Sequence, residues 1–187
     1  MPSQKDSLRL LRVAARLVDD KADNRFLLNP GTVRTQYGAI CWRVMRGKLE
    51  VLLVTSRDTG RWVIPKGWPM ADKSPSSAAV QEAWEEAGVE GEVSDICLGL
   101  FSYDKVIGPA LAVPCVVAVY PLKVTKLRDR FPERKQRIRK WFSPEKAAKK
   151  VVEPELSVIL AEFKPPPEPV AQITPPPENP GGKPASS

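Results

Sequence analysis

The chain has 187 residues, and its 42% hydrophobic and 27% charged content is typical of a soluble globular protein with one domain. It contains no histidine, which excludes Ser-His-Asp and Cys-His nucleophilic sites and His-ligated zinc. The net charge of +7, concentrated in a basic run over residues 123–140, favours an anionic partner. Because histidine is absent, any hydrolytic chemistry must use carboxylates, lysines, backbone groups and a hard metal ion.

The two ends of the chain differ in composition from its centre. Residues 1–30 predict an N-terminal extension that forms a surface helix, with a basic helix on an anionic membrane as the alternative. The proline-rich residues 164–187 predict a disordered tail. No apolar run approaches the roughly 20 residues that span a bilayer. Three well-separated cysteines favour a reducing compartment, and we expect the cytoplasm.

The central residues 31–163 predict one mixed α/β domain, in which helices pack on a mixed sheet. Strands are expected at 33–43 and 49–55, joined by a hairpin turn at 45–48, and at 62–65. A loop over 66–73 precedes a helix that Ser74 can cap, that Pro75 begins and that Gly88 ends. Further strands are predicted within 89–105 and 110–124, and helices at 144–152 and 154–163.

The helix after Ser74 carries three glutamates, Glu82, Glu85 and Glu86, on one arc of about 100°. The opposite face holds small apolar side chains that suit close packing on a sheet. No lysine or arginine lies between Lys73 and the end of this helix. Because like charges at this spacing repel, either a cation lies among the glutamates or they form a solvated face. Oxygen ligands of this kind favour Mg²⁺ or Mn²⁺.

Residues 67–89 resemble the Nudix box, G-x5-E-x7-R-E-U-x-E-E-x-G-U, in which U is a bulky apolar residue. The matching positions are Gly67, Glu82, Ala83, Glu85, Glu86, Gly88 and Val89. The flanking sequences RWVIPKGW, LGLFSYDK and WFSPEKA resemble the diphosphoinositol polyphosphate phosphohydrolase-like branch of the Nudix hydrolases. The resemblance covers about residues 33–163 and implies the α/β/α sandwich of that family.

Two positions depart from the Nudix box. Lys73 stands where the family has its first glutamate, which is not among its principal metal ligands. Gln81 stands where the family has an arginine that helps to orient the catalytic glutamates. The second departure puts the geometry of the glutamates in question.

The resemblance implies an Mg²⁺-dependent pyrophosphohydrolase, with Mn²⁺ as an alternative metal. The backbone carbonyl of Gly67 and the carboxylates of Glu82, Glu85 and Glu86 are the implied metal ligands. Water would attack phosphorus, and Glu85 or Glu86 would accept its proton. Family members often use a further acidic residue from a later loop. Glu133 is the catalytic candidate, ahead of Asp104, with a plain salt bridge within the basic run as its alternative role.

Four basic residues near the strands that lead to the box are candidates for binding phosphate: Arg34, Arg57, Arg61 and Lys66. Together with the basic run they favour a small, highly anionic substrate, either a diphosphoinositol polyphosphate or a diadenosine polyphosphate. A domain that binds a nucleotide or inositol phosphate without cleaving it is one alternative. An RNA 5′ pyrophosphohydrolase is another, although poor aromatic interleaving disfavours nucleic acid. Nothing in the sequence indicates an oligomeric state.

Overall fold

The structure is a computed structural model that describes residues 32–57, 59–106 and 112–167. The predicted extension over residues 1–30 lies outside the described residues, as do residues 168–187 of the tail that was predicted over 164–187. The elements are β1 (Arg34–Met45), β2 (Lys48–Thr55), β3 (Trp62–Val63), β4 (Lys66–Gly67), α1 (Pro75–Ala87), β5 (Val89–Val93), β6 (Gly99–Val106), β7 (Ala112–Leu127), β8 (Arg139–Phe142), α2 (Pro144–Ala148) and α3 (Pro154–Ala161).

In the described part of the chain, the strands form one mixed sheet with the central order β3-β2-β1-β7-β5. β4 also pairs with β1, β6 with β7, and β8 with β2. The pairing of β1 with β7 is parallel, and the other pairings are antiparallel. Helix α1 packs on β1, β5 and β7, whereas α3 packs on β6 and on α2. The predicted mixed α/β class is confirmed.

The first hairpin is tighter than the sequence predicts. β1 continues to Met45 and β2 begins at Lys48, so only Arg46 and Gly47 form the turn. Both residues have positive φ, 51° and 73°. Two left-handed residues are what a two-residue turn needs to match the twist of its strands.

Residues 62–67 differ from the prediction of one strand followed by a loop. Trp62–Val63 pairs with β2, and Lys66–Gly67 then forms β4, which is antiparallel to β1. The chain thus crosses from one strand of the sheet to another, and Pro65, which has no N–H, lies at the crossing. This crossing places Lys66 and Gly67 against the sheet and next to α1.

Helix α1 begins and ends where the sequence predicts. The hydroxyl of Ser74 accepts a hydrogen bond from the backbone N–H of Ser77 at 3.2 Å, and Pro75 occupies the first turn. Gly88 adopts a left-handed conformation with φ 66°, and its N–H donates to the carbonyl of Trp84 at 2.9 Å. α2 and α3 end earlier than predicted, at Ala148 and Ala161.

The packed face of α1 is made of alanines, and Ala79, Ala83 and Ala87 are fully buried. Their small side chains let the helix approach the sheet closely. Trp84, which the helical wheel places on this apolar face, is only half-buried and lines a surface cavity instead. Glu86, by contrast, is buried with 5% of its surface exposed. One of the three glutamates therefore faces the interior.

Two further predictions concern the environment of the domain. None of the helices in the described ranges is long and apolar enough to span a membrane. Cys41, Cys97 and Cys115 are all unpaired thiols.

Candidate functional site

Gly67 and Glu82 are in direct contact where β4 meets α1. A Cβ atom placed on Gly67 would lie 2.1 Å from both Cδ and Oε1 of Glu82. No side chain can occupy that space without displacing the carboxylate. The glycine at the start of the motif therefore forms a cradle for its first matching glutamate.

Glu86 is held by both of its carboxylate oxygens. Oε2 accepts a hydrogen bond from the backbone N–H of Lys66 at 3.2 Å, and Oε1 accepts one from Nη2 of Arg137. Burial raises the pKa of the Glu86 carboxyl group, and the positive charges of Arg137 and Lys66 oppose that shift. Glu86 is thus a buried, charge-paired carboxylate rather than part of a solvated face.

Glu85 is oriented by the residue that departs from the Nudix box. Nε2 of Gln81 donates to Oε1 of Glu85 at 2.9 Å, one helical turn away. The backbone carbonyl of Glu85 accepts from the N–H of Glu133 at 3.0 Å, which ties the helix to the later loop. Gln81 therefore supplies a neutral donor to one glutamate, where the family pattern has a cation.

Glu133 lies in the same cluster, although it is distant along the chain. Its Oε2 accepts from Nε of Arg137 at 2.5 Å, and its Oε1 accepts from Nη1 of Arg57 at 3.4 Å. The structure thus places Glu133 next to the box glutamates and also in salt bridges with two arginines. Asp104, the second acidic candidate, is exposed on β6.

Arg137 is the functional candidate that sequence reasoning missed. It is 9% exposed, and a third donor, Nη1, binds the backbone carbonyl of Thr55 at 2.9 Å. Arg137 supplies a cation to one of the three box glutamates, Glu86, and to Glu133. The only signal in the sequence was its membership of the basic run, where its neighbours look equally suited to solvent.

A basic cavity of about 680 Å³ adjoins this cluster. Among its lining residues are four cations, Arg57, Arg134, Lys135 and Arg137. Arg134 and Lys135 were not among the predicted substrate-binding residues. Arg57 and Arg137 also bind Glu133, so the same two arginines line the cavity and contact the carboxylate cluster.

The other predicted phosphate-binding residues lie apart from the lining of this cavity. Nζ of Lys66 lies 4.8 Å from the centre of the Tyr103 ring. Burial lowers the pKa of the Lys66 amino group. Arg61 is exposed, and its Nη1 lies 3.6 Å from Oε1 of Glu153. Arg34 begins β1 opposite Cys115 of β7. Of the four predicted cations, Arg57 is the one that lines the cavity.

The carboxylate oxygens are chemically suited to a hard cation. In this structure, however, the side chains of Glu85, Glu86 and Glu133 each accept hydrogen bonds from protein donors. Among the described residues, no three acidic, histidine or cysteine side chains converge closely enough to hold a metal ion. Glutamate oxygens and a backbone carbonyl are nevertheless the donors that Mg²⁺ and Mn²⁺ prefer. The cradle at Gly67 keeps Glu82 against the backbone that would complete such a site.

Comparison with known proteins identifies the class to which this fold and site belong. The NUDIX domain model matches residues 34–163, which is more than half of the chain. The chain belongs to the Nudix family of hydrolases.

Two curated relatives are similar to this chain over part of their length. The chain is 36% identical over 103 residues to Nudix hydrolase 12, mitochondrial, of Arabidopsis thaliana, a match that covers 54% of this chain and 51% of the relative. It is 32% identical over 123 residues to human diphosphoinositol polyphosphate phosphohydrolase 3-alpha, covering 65% of this chain and 71% of the relative. The chain thus spans about half the length of the plant relative.

Solved structures show the same fold. The crystal structure of a Caenorhabditis elegans Ap4A hydrolase superposes with a TM-score of 0.50 at 20% identity. The superposition covers 70% of this chain and 95% of the worm chain. At that identity the likeness concerns the fold alone.

Proposed function

We propose that this protein is an Mg²⁺-dependent pyrophosphohydrolase that cleaves a phosphoanhydride bond in a small, highly anionic substrate. A diphosphoinositol polyphosphate or a diadenosine polyphosphate fits best. The observation that carries the proposal is the basic cavity that shares Arg57 and Arg137 with the carboxylate cluster. The human relative is named for the first substrate and the worm structure for the second kind.

The metal ion would be held by the carbonyl of Gly67 and by the carboxylates of Glu82, Glu85 and Glu86. Members of the Nudix family generally use divalent metals, and the oxygen donors here suit Mg²⁺, with Mn²⁺ as the alternative. When bound, such an ion neutralises phosphate charge and makes water a better nucleophile.

The chain itself supplies charge and orientation. Arg57, Arg134 and Lys135 would bind the phosphate groups that extend away from the scissile bond, because guanidinium groups match phosphate oxygens in geometry and charge. Glu85 or Glu86 would accept the proton of the attacking water. Glu133, held by two arginines beside the box glutamates, would be the further acidic residue that takes part in catalysis.

Arg34, Arg61 and Lys66 would serve the same substrate from the sheet side of the site. Lys66 is the best placed, since its backbone N–H binds Glu86 while its side chain extends over Tyr103. Three unpaired thiols fit a reducing compartment, and we place the protein in the cytoplasm.

A substrate screen of the full chain tests the proposed activity. Phosphate release is measured with Mg²⁺ or Mn²⁺ against diphosphoinositol polyphosphates, diadenosine polyphosphates, nucleotide sugars and triphosphorylated RNA. We expect metal-dependent turnover of the first two classes, and none in EDTA. Tight calorimetric binding without turnover at any metal concentration would identify a sensor instead. Preferential cleavage of RNA would replace the proposed substrate class.

Replacing Arg57 with alanine tests the cavity as the phosphate site. Charge-assisted hydrogen bonds contribute roughly 1.5–3 kcal/mol, so we expect KM to rise about tenfold while kcat stays within about threefold. Steady-state kinetics in Mg²⁺ gives both constants. Arg43→Ala is the matched control, because Arg43 pairs with Glu50 on the surface of the hairpin. A fall in kcat at unchanged KM would contradict a substrate-binding role for Arg57.

A further inference from the structure

Arg137 binds three groups with the three arms of one guanidinium. Nη2 donates to Glu86, Nε donates to Glu133 at 2.5 Å, and Nη1 donates to the carbonyl of Thr55 at 2.9 Å. The Glu86 and Arg137 side chains are each only 7% exposed. A planar fork fixed at all three positions has little freedom to rotate.

We propose that Arg137 is a positioning residue that holds Glu86 and Glu133 in their working orientation. It would replace the arginine of the Nudix box, whose position in this chain is occupied by Gln81. The inference rests on the proposed function, since it assigns an orientation to a carboxylate proposed there as a metal ligand. Arg137 acts through Glu86, and we assign it no direct contact with the reacting atoms.

The different hydrogen-bond donors of Glu85 and Glu86 on α1 support this assignment. Gln81 reaches Glu85, its neighbour one turn along the helix, and the donor is a neutral amide. Glu86 instead takes its donors from outside the helix, from the Lys66 N–H 20 positions before it and from Arg137 51 positions after it. The side chains of the two consecutive glutamates are therefore held by different parts of the chain.

The anchor on Thr55 makes Arg137 a fixed point rather than a mobile counter-charge. Thr55 ends β2 and also forms two hydrogen bonds with Ile138: its backbone N–H donates to the Ile138 carbonyl at 2.9 Å, and its side-chain hydroxyl accepts from the Ile138 N–H at 2.9 Å. The Arg137 side chain and its neighbour Ile138 are thus both bonded to the end of β2. Groups that orient metal ligands from outside typically change metal affinity or activity by about 10–100-fold when they are removed.

The arginine two residues further on provides a matched control. Arg139 donates to the carbonyls of Ala87 and Arg128 and pairs with Asp129, so it braces the end of α1 without touching a glutamate of the box. Its side chain is 16% exposed, which makes it comparable in burial to Arg137. Loss of Arg139 perturbs the same helix end while leaving Glu86 and its donor in place.

The experiment compares Arg137→Gln, Arg137→Lys and Arg139→Gln in the full chain. Mn²⁺ binding is measured by electron paramagnetic resonance without substrate, and kcat and KM are measured in Mg²⁺. For Arg137→Gln we expect Mn²⁺ affinity and kcat each to fall at least about tenfold, with KM changed less than about threefold. Arg137→Lys, which keeps the charge but not the fork, should recover part of both losses. Arg139→Gln should keep Mn²⁺ affinity within about twofold while lowering the melting temperature.

Unchanged or tighter Mn²⁺ binding in Arg137→Gln would overturn the inference, as would a rise in KM at constant kcat, which is the behaviour of a substrate contact. If Arg137→Gln does not fold, Arg137→Lys decides, because wild-type Mn²⁺ affinity and kcat in that variant would also overturn it. The proposed function fails separately. A wild-type protein that binds Mn²⁺ but cleaves no phosphoanhydride sinks the activity, while a weaker Mn²⁺ site in Arg137→Gln still supports the positioning role.

Discussion

Glu86→Gln is expected to lower turnover at least about 100-fold, which corresponds to roughly 3 kcal/mol of activation free energy. Glutamine has nearly the same shape, and its oxygen can still accept from the N–H of Lys66. Its amide NH2 then faces the Arg137 donor, so a thermal melt must show that the variant is folded. The substitution removes the negative charge that the proposed metal requires. It also leaves the Arg137 guanidinium with one carboxylate partner instead of two.

Phosphate release by the purified variant, at saturating substrate and Mg²⁺, measures this effect. Glu50→Gln is the control, because Glu50 also pairs with an arginine but lies on the hairpin, with 29% of its side chain exposed. That variant should turn over at the wild-type rate. Turnover of Glu86→Gln within about tenfold of wild type would exclude Glu86 from the catalytic centre.

Gly67→Ala should reduce kcat by about 100-fold through the displacement of a neighbouring carboxylate. The added methyl group would lie 2.1 Å from Glu82, so Glu82 must leave its position. Misplacement of a reacting group by about 1 Å can cost a factor of about 100 in rate. Because Gly67 also pairs with Tyr37 in the sheet, a thermal melt must show that the variant is folded.

A double-mutant cycle separates displacement of Glu82 from damage to β4. If the alanine acts through Glu82, Gly67→Ala should add little to the defect of Glu82→Ala, in which the clashing carboxylate is gone. Multiplicative losses in the double variant would show that the backbone of β4, rather than Glu82, had been disturbed. The initial rates of the four proteins in Mg²⁺ complete the cycle.

The local parts of the site could be predicted because their signals lie close together in the sequence. Ser74, Pro75 and Gly88 delimit α1 by capping chemistry that acts within one turn. The spacing from Gly67 to Val89 fixes which glutamates share a face. The runs predicted as β1, β2, β3 and β7 and the turn around Gly47 are equally local, and only their bounds needed correction, whereas the strand β8 was not predicted.

The cation that pairs with Glu86 and Glu133 could not be predicted, because its contacts depend on long-range pairing. Arg137 reaches Glu86 only after β8 has paired with β2 and the loop before it has closed over the end of α1. In the sequence, Arg137 and Arg139 are two arginines in a basic run. In the structure, Arg137 pairs with the catalytic candidate Glu86, whereas Arg139 binds the carbonyls of Ala87 and Arg128.

The position of β4 was missed for a similar reason. Lys66 and Gly67 follow a proline and precede a long loop, so nothing local marks them as a strand. They become one because the backbone of β1 offers partners at Tyr37 and Gly38. That pairing, rather than any property of the two residues, brings the Lys66 N–H to Glu86.

The parallel pairing of β1 with β7 determines when the site can form during folding. Gln36 pairs with Val117, so about 80 residues, including the whole of α1, lie within the loop that this contact closes. Closing a loop of that length is entropically costly, and topologies rich in such contacts fold slowly. A helix of 13 residues is marginal in water until it has a surface to pack on. We therefore expect the carboxylate cluster to assemble together with the complete sheet, and we expect a peptide that carries only the motif not to reproduce it.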